Sequence, residues 1–322
     1  MSQNPVSSGA PTDAALRVVA KEVVAEGVVA LTLRHPTGRR LPDWAPGAHI
    51  DLMLPTGLTR QYSLIGDRWD AHTYRVGVLR EPAGRGGSAY IHDELAEGDV
   101  VGVGGPRNNF PLVPSQRYLF VAGGIGITPL LPMIRQAELV GADWQLVYGG
   151  RTRTSMAFRD ELAAYGDRVV LAPRDEQGHP DLPAYLAAAA DAKVYVCGPG
   201  ALLVAVEKCC ADWPFGQLRT ERFVPKDRGA PLRDEPFEVE LARSGLAVTV
   251  SPGATVLDAV QAAGVTVLSS CGEGTCGTCE TTVLAGNPDH RDSVLDDDER
   301  SSGDCMLICV SRSCSDRLVL DL

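Results

Sequence analysis

The pattern of apolar and polar positions changes character twice along the chain. Between residues 16 and 113, short β-like runs alternate with turns, at residues 16–19, 28–33, 49–54, 61–65 and 74–79. Runs of this length, separated by Gly and Pro, predict a small antiparallel β-barrel of five or six strands. Near Arg117 the pattern shifts. Residues 118–122 are wholly apolar and lead into a glycine turn and a helix-like segment at 129–139. Two more apolar runs follow, 144–148 and 194–197, with helix-like stretches between them. Apolar strands alternating with helices predict a parallel α/β sheet. Residues 226–236 are polar, hold two prolines and read as a linker. Beyond them, residues 237–241 alternate as a half-buried strand, and 247–250 form its hairpin partner. Val256, Leu257, Val260 and Ala263 then fall at helical spacing up to a stop at Gly264. The division predicted is 14–113, 114–225, a linker at 226–236, and 237–322. Residues 1–13, rich in Ser, Pro, Gly and Asn, read as a flexible tail.

Composition narrows the function classes. Hydrophobic residues make up 44% of 322, enough for sizeable cores and against wholesale disorder. With 30 basic and 41 acidic residues the net charge is −11, which argues against a nucleic-acid partner. The charge is uneven. Residues 237–322 carry 14 acidic and 5 basic side chains, a net of −9, and no lysine. Nine cysteines, an odd number clustered late, do not form a disulfide framework. The N-terminus shows no basic segment followed by an apolar one. The longest apolar run, 118–134, is broken by three glycines and two prolines. A soluble cytoplasmic protein with no membrane partner is expected.

The sharpest chemical signal is Cys271-Gly-Glu-Gly-Thr-Cys276-Gly-Thr-Cys279, spaced C-x4-C-x2-C, with a later Cys309. This is the plant-type spacing for a 2Fe–2S cluster. Three thiolates on one loop can wrap a small cluster, and the fourth ligand must come from elsewhere in the fold. Cys309 follows the apolar residues 306–308, which can hold it on a strand; Cys305 and Cys314 are the alternatives. Zinc is the rival metal, but it favours paired C-x2-C units and only one such pair exists.

Two motifs point to a flavin. In Arg60-Gln61-Tyr62-Ser63, period-two alternation puts Arg60 and Tyr62 on one side, where Tyr stacks on a ring and Arg pairs with a phosphate. An ordinary barrel strand would read the same way. In Gly84-Arg85-Gly86-Gly87-Ser88, Ser88 suits the N-cap of a helix from Ala89, and a glycine-led helix start receives phosphate; a plain hairpin turn is the alternative. Two more motifs point to a nicotinamide nucleotide. Gly123-Gly124-Ile125-Gly126-Ile127-Thr128-Pro129 follows a strand, with Thr128 suited to the N-cap and Pro129 to the first helical position. It is not the G-x-G-x-x-G fingerprint. Cys197-Gly198-Pro199-Gly200 ends a later strand, where a thiol can lie against a flat ring or simply fill the core.

Together these motifs resemble the phthalate dioxygenase reductase family over residues 14–322, including Glu221-Arg222-Phe223 and His290-Arg291-Asp292. The resemblance implies three modules: an antiparallel β-barrel binding FMN, an α/β domain binding NAD(P)H, and an α+β, β-grasp ferredoxin carrying the 2Fe–2S cluster. It implies that Arg60, Gln61, Tyr62, Ser63, Arg85, Gly86, Gly87 and Ser88 hold FMN, with Gly77 and Val78 beside its ring and Phe223 over the other face. Gly123, Gly124, Gly126, Thr128, Pro129, Arg151, Cys197 and Gly198 are implied for the nicotinamide nucleotide, and Cys271, Cys276, Cys279 and Cys309 for the cluster. Where the family often has an acidic residue after the first Arg of this loop, the chain has Thr152 and then Arg153. NADH is the expectation and NADPH the alternative. The implied function is the reductase of an oxygenase system, passing electrons to a Rieske-type aromatic-ring dioxygenase or O-demethylase. A haem-thiolate monooxygenase is the alternative acceptor. A redox sensor would need an output module that no segment supplies. The acidic run Asp296-Asp297-Asp298-Glu299 is either a solvated face or a docking surface for a basic patch on the oxygenase. A monomer is expected.

Overall fold

The computed structural model describes residues 14–322, so the tail expected over 1–13 lies outside the described residues. These residues fall into two compact units, one ending at Val224 and the other spanning Pro225–Leu322.

The first unit opens with β1 (Ala14–Ala25), β2 (Val28–Arg34), β3 (His49–Met53), β4 (Thr59–Ser63), β5 (Thr73–Leu79), α1 (Gly87–Asp93) and β6 (Val100–Arg107). The six strands pair antiparallel in the order β4-β3-β6-β1-β2-β5. A bridge between Leu64 and Val76 joins the two ends of that order, and the Ile65 N–H donates to the Arg75 carbonyl at 2.8 Å. The sheet thus closes as the barrel expected. Alternate residues point inward, which is why Leu31, Leu33, Ile50, Leu52, Val76 and Val78 share one core.

The same unit continues with β7 (Arg117–Gly123), α2 (Ile127–Leu139), β8 (Asp143–Gly150), α3 (Arg159–Leu162), β9 (Val169–Pro173), α4 (Arg174–Gln177), α5 (Leu182–Ala188), β10 (Lys193–Cys197), α6 (Gly200–Cys209) and β11 (Leu218–Glu221). All five strands are parallel, in the order β11-β10-β7-β8-β9. The chain winds outward from β7 through β8 to β9, then crosses back to β10. The crevice at such a reversal, at the carboxyl ends of the strands, is where ligands bind. The expected sheet had three strands. The two that escaped notice, β9 and β11, are edges; β11 is half-exposed throughout and reads Leu-Arg-Thr-Glu, without an apolar run.

The boundary expected at 113/114 does not separate compact units. Val28, Ala30 and Ile65 of the barrel share a core with Phe120, Leu130, Ile134, Trp144 and Tyr195. An ion-pair network seals the seam. Arg75 donates to Glu161 at 2.7 Å, and Arg135 binds both Glu161 and the Ile65 carbonyl, the latter at 2.6 Å.

The second unit contains β12 (Phe237–Leu241), β13 (Leu246–Val250), α7 (Val256–Ala262), β14 (Glu280–Ala285), β15 (Pro288–Asp289), α8 (Asp297–Ser302), β16 (Cys305–Leu307), β17 (Arg312–Ser313) and β18 (Arg317–Leu320). The mixed sheet runs β13-β12-β18-β14-β16, with β15 and β17 paired separately. Its apolar face packs on Val256, Leu257 and Val260 of α7, the stripe read from the sequence. The expected linker is not a free tether. Arg291 donates to the carbonyls of Gly229 and Ala230 at 2.7 and 3.0 Å, the Lys226 N–H donates to Ser293 Oγ at 2.9 Å, and the Leu232 N–H donates to Asp289 at 3.1 Å. Its backbone groups are satisfied by side chains of this unit, which composition cannot distinguish from solvation.

Candidate functional site

The nucleotide edge lies at the carboxyl ends of β7 and β10, where two glycine turns meet backbone to backbone. A Cβ on Gly126 would sit 2.2 Å from the Cys197 carbonyl oxygen, and one on Gly123 would sit 2.7 Å from Pro199. Only glycine permits that approach. Gly198 closes against the Gly123 backbone from the other side, while Gly124 adopts φ 54° with open space around it. The expected cap is corrected here. A short 3-10 turn over Gly124–Gly126 leads straight into α2, so Thr128 is already helical and Pro129 is its third residue. Thr128 is buried and donates back to the Ile125 carbonyl at 2.9 Å.

Cys197 ends β10 fully buried, in register with Glu221 on β11, its Sγ 3.9 Å from Glu221 Oε2. Desolvation pushes the Glu221 carboxyl up to about 8, and burial raises the Cys197 thiol. Sequence pattern gives Glu221 no individual role, because the signal is its register opposite Cys197 and β11 carries no apolar run. Next to it, Arg222 is buried against Glu207 at 2.7 Å, while Phe223 stays 42% exposed. Arg151 lies exposed just past β8, and Arg153 pairs with Glu176.

On the barrel, Arg60 and the glycine turn come together although they are two dozen residues apart. Arg60 Nη2 donates to the Arg85 carbonyl at 3.3 Å, and a Cβ on Gly87 would meet the Arg60 side chain at 2.8 Å. Gly86, at φ 84°, is the N-cap of α1, two residues before the expected Ser88 cap. Ser88 Oγ instead accepts the Glu81 N–H at 3.0 Å. The guanidinium therefore lies beside a helix start, the pairing of cation and N–H groups that phosphate recognition uses. Tyr62 packs on the barrel core, and desolvation raises its hydroxyl pKa. Gln61 donates to buried Asp51 at 2.8 Å, which also pairs with Arg107, and Ser63 is buried. Gly77 faces the α/β layer, where a Cβ would meet Thr128 at 2.9 Å and Phe158 at 3.1 Å. Val78 points into the barrel core, and its carbonyl accepts from His92 at 2.9 Å.

In the second unit, Cys271, Cys276, Cys279 and Cys309 are all buried, and none is in a disulfide. Their side chains interact electrostatically: Cys271 with Cys276 and Cys309, and Cys279 with Cys309. The loop aims its own backbone at them, with the Glu273 and Thr275 N–H groups donating to Cys271 Sγ at 3.3 and 3.5 Å. Contacts with Cys276 and Cys309, and after them these N–H groups, lower the Cys271 thiol pKa, while the same thiol contacts raise those of Cys276 and Cys309. Gly274, at φ 70°, lets the loop press on Asp292 and Val310. Asp292 in turn accepts the Val294 and Leu295 N–H groups and pairs with Arg300 at 3.1 Å. Four sulfurs converging with backbone donors fit a 2Fe–2S cluster, whose sulfur ligands take hydrogen bonds. Cys309 follows β16 rather than sitting in it. Cys305 lies in β16, and exposed Cys314 faces the Pro288 carbonyl at 3.8 Å.

Comparison with known proteins gives two domain matches: a 2Fe–2S iron–sulfur cluster binding domain over residues 239–314, and an oxidoreductase NAD-binding domain over 120–208. Phenoxybenzoate dioxygenase subunit beta of Ectopseudomonas oleovorans is 47% identical over 311 residues, 95% of this chain and 97% of that protein. Phthalate dioxygenase reductase of Burkholderia cepacia is 38% identical over 314 residues, 95% of this chain and 97% of that one. The chain belongs to the phthalate dioxygenase reductase family. The solved structure of a phthalate dioxygenase reductase matches with a TM-score of 0.69 at 38% identity, covering 96% of this chain and 97% of that chain. An intact type IV self-sufficient cytochrome P450 monooxygenase matches with a TM-score of 0.92 at 44% identity. That match covers 100% of this chain but only 43% of the P450, so this chain spans less than half of that protein. Family membership implies FMN, a 2Fe–2S cluster and NADH as the electron carriers. Among the described residues, no helix is long and apolar enough to cross a membrane.

Proposed function

We propose that this phthalate dioxygenase reductase relative passes electrons from NAD(P)H to a Rieske-type aromatic-ring dioxygenase or O-demethylase. The chain is an NAD(P)H-dependent flavin and iron–sulfur oxidoreductase of an oxygenase system. When bound, the nicotinamide supplies electrons in pairs, the cluster takes them singly, and FMN exchanges both ways. The observation that carries the reading is the presence, in one chain, of a meeting of Arg60 with the Gly86–Gly87 turn, a glycine-built edge at the carboxyl ends of β7 and β10, and four buried cysteines from one loop and a distant turn.

The residues do the positioning. Arg60 and the N–H groups after Gly86 hold the FMN phosphate, and Arg85 and Ser88 shape that turn. Gln61, Tyr62 and Ser63 line the flavin strand, with the backbone of Gly77 and Val78 beside it and Phe223 free to cover the other face. Gly123, Gly124, Gly126 and Gly198 present backbone to the nicotinamide nucleotide, with Thr128 and Pro129 fixing the start of α2. Cys197 lies against the nicotinamide, and Arg151 meets its adenosine end. Cys271, Cys276, Cys279 and Cys309 hold the cluster. No side chain has to move a proton for this traffic.

The oxygenase is proposed to present a basic patch to the −9 charge of residues 237–322. Two acids of the run at 296–299 already serve α8: Asp296 caps it and Glu299 completes the capping box. Glu238 and Glu240 share Arg317, so one cation faces two strand carboxylates and the surface there stays net negative. The protein is proposed to act as a cytoplasmic monomer. The TM-score of 0.92 with a fused P450 favours a haem-thiolate acceptor as the second reading.

Absorbance spectra of the purified protein, with NADH and NADPH added in turn, test the core of this. Bleaching of flavin and cluster bands is expected, followed by reoxidation on adding a Rieske oxygenase. Reoxidation by a P450 alone would move the acceptor to the second reading. Transfer rates that stayed flat from low to high salt would remove the docking proposal.

A further inference from the structure

The nucleotide edge carries an ion pair that the fold does not need. Arg153, in the loop after β8, donates from Nε and Nη2 to the two carboxylate oxygens of Glu176 at 3.0 and 2.7 Å. Glu176 belongs to α4, directly after β9. Their side chains are 42% and 43% exposed, and exposed pairs of this kind add little stability. Their place is the notable point. In the parallel sheet Gly123 of β7 is in register with Gly149, and Gly150 with Pro173, so both partners lie at the carboxyl edge that carries the glycine turn. In nucleotide-binding sheets this neighbouring position meets the adenosine ribose, where a carboxylate accepts the 2′-OH and an arginine takes a 2′-phosphate. Here one residue of each kind is present, and each occupies the other. Arg153 also holds the Glu176 carboxyl below its ordinary range, so it stays charged.

We infer that Glu176 sets the choice between NADH and NADPH: it withholds the Arg153 guanidinium from a 2′-phosphate and repels that phosphate with its own charge. The inference rests on the NAD(P)H-dependent reading above. It is tested by kcat/KM for each nucleotide with ferricyanide as acceptor, using the flavin- and cluster-loaded protein. Glu176→Gln is expected to raise the NADPH-to-NADH ratio about tenfold, because a freed guanidinium binds phosphate through charge-assisted hydrogen bonds. Arg153→Gln is expected to lower the ratio, and the double variant Glu176→Gln/Arg153→Gln to lose the gain. Asp191→Asn, which breaks the Arg117–Asp191 pair of 2.7 Å at the opposite end of the sheet, serves as the control with an unchanged ratio. A ratio in Glu176→Gln within about twofold of the parent overturns the inference, as does a gain that survives in the double variant. A parent protein that oxidises neither nucleotide overturns the NAD(P)H reading itself and the inference with it.

Discussion

The cysteine loop and the nucleotide edge, the two proposed seats for redox groups, are built in opposite ways. In the loop, three of the four donors lie within residues 271–279, and the N–H groups that meet Cys271 come from Glu273 and Thr275 of the same loop. At the edge, the important surface is backbone, made by pressing the turn after β7 onto the turn after β10. One site is specified by what its side chains donate, the other by side chains that are missing. A donor set stays tied to residue identity wherever the loop travels. A backbone surface exists only once two distant strands have paired.

The comparison breaks first at the thiols. Cys309→Ser and Cys271→Ser should each cut reduction of a protein acceptor such as cytochrome c by about 100-fold or more, with NADH-to-ferricyanide turnover through the flavin retained. Loss of the cluster's visible absorbance checks it. A Cys309→Ser protein with an intact cluster spectrum would show Cys305 or Cys314 acting as the ligand instead.

At the edge, Gly126→Ala places a methyl carbon where only 2.2 Å separates it from the Cys197 carbonyl oxygen. NADH-driven flavin reduction in stopped flow should slow by about 100-fold, the scale on which a displacement of about 1 Å acts. The cluster spectrum should be unaffected, since the thiols belong to the other unit. Equal losses at both centres would show that the two sites are not built independently.

Arg60→Gln is a smaller change. Losing the guanidinium beside Gly87 should weaken FMN retention about tenfold, read as the rise in free-flavin fluorescence on dilution.

Glu221 gives the subtlest test. Its folded pKa of about 8 lies above the unfolded value, so the native state holds a proton that the unfolded chain releases. Stability contributed by this group is therefore present at low pH and declines as pH rises from the ordinary carboxylate range towards 8. Glu221→Gln lacks that decline, so its melting temperature should gain on the parent protein as pH is raised from 5 to about 8. A constant difference across that window would mean that Glu221 is not desolvated.

Much of the architecture was legible in local pattern. Apolar runs such as residues 118–122 and 194–197 became β7 and β10 because a strand buried on both faces leaves no polar position to confuse its reading. The edge strand β11 did not show because Leu-Arg-Thr-Glu holds no apolar run, whereas the edge strand β13 was legible as the hairpin partner of β12. Both predicted caps failed for a shared reason. Ser88 and Thr128 have the right chemistry, but each is already the second residue of a helix that the preceding glycines have begun.

The sequence by itself determined the chemistry of the cluster site, the barrel and sheet runs, and the glycines that any nucleotide edge requires. These depend on residue identity and short-range periodicity, which survive without a fold. Tertiary structure alone decided that the barrel and α/β layers share a core, that Arg291 pins the apparent linker, that Glu221 lies against Cys197, and that Glu176 occupies Arg153. Each of these joins residues about twenty or more positions apart. Such partners are selected by packing, and packing is a property of the closed chain rather than of any segment within it.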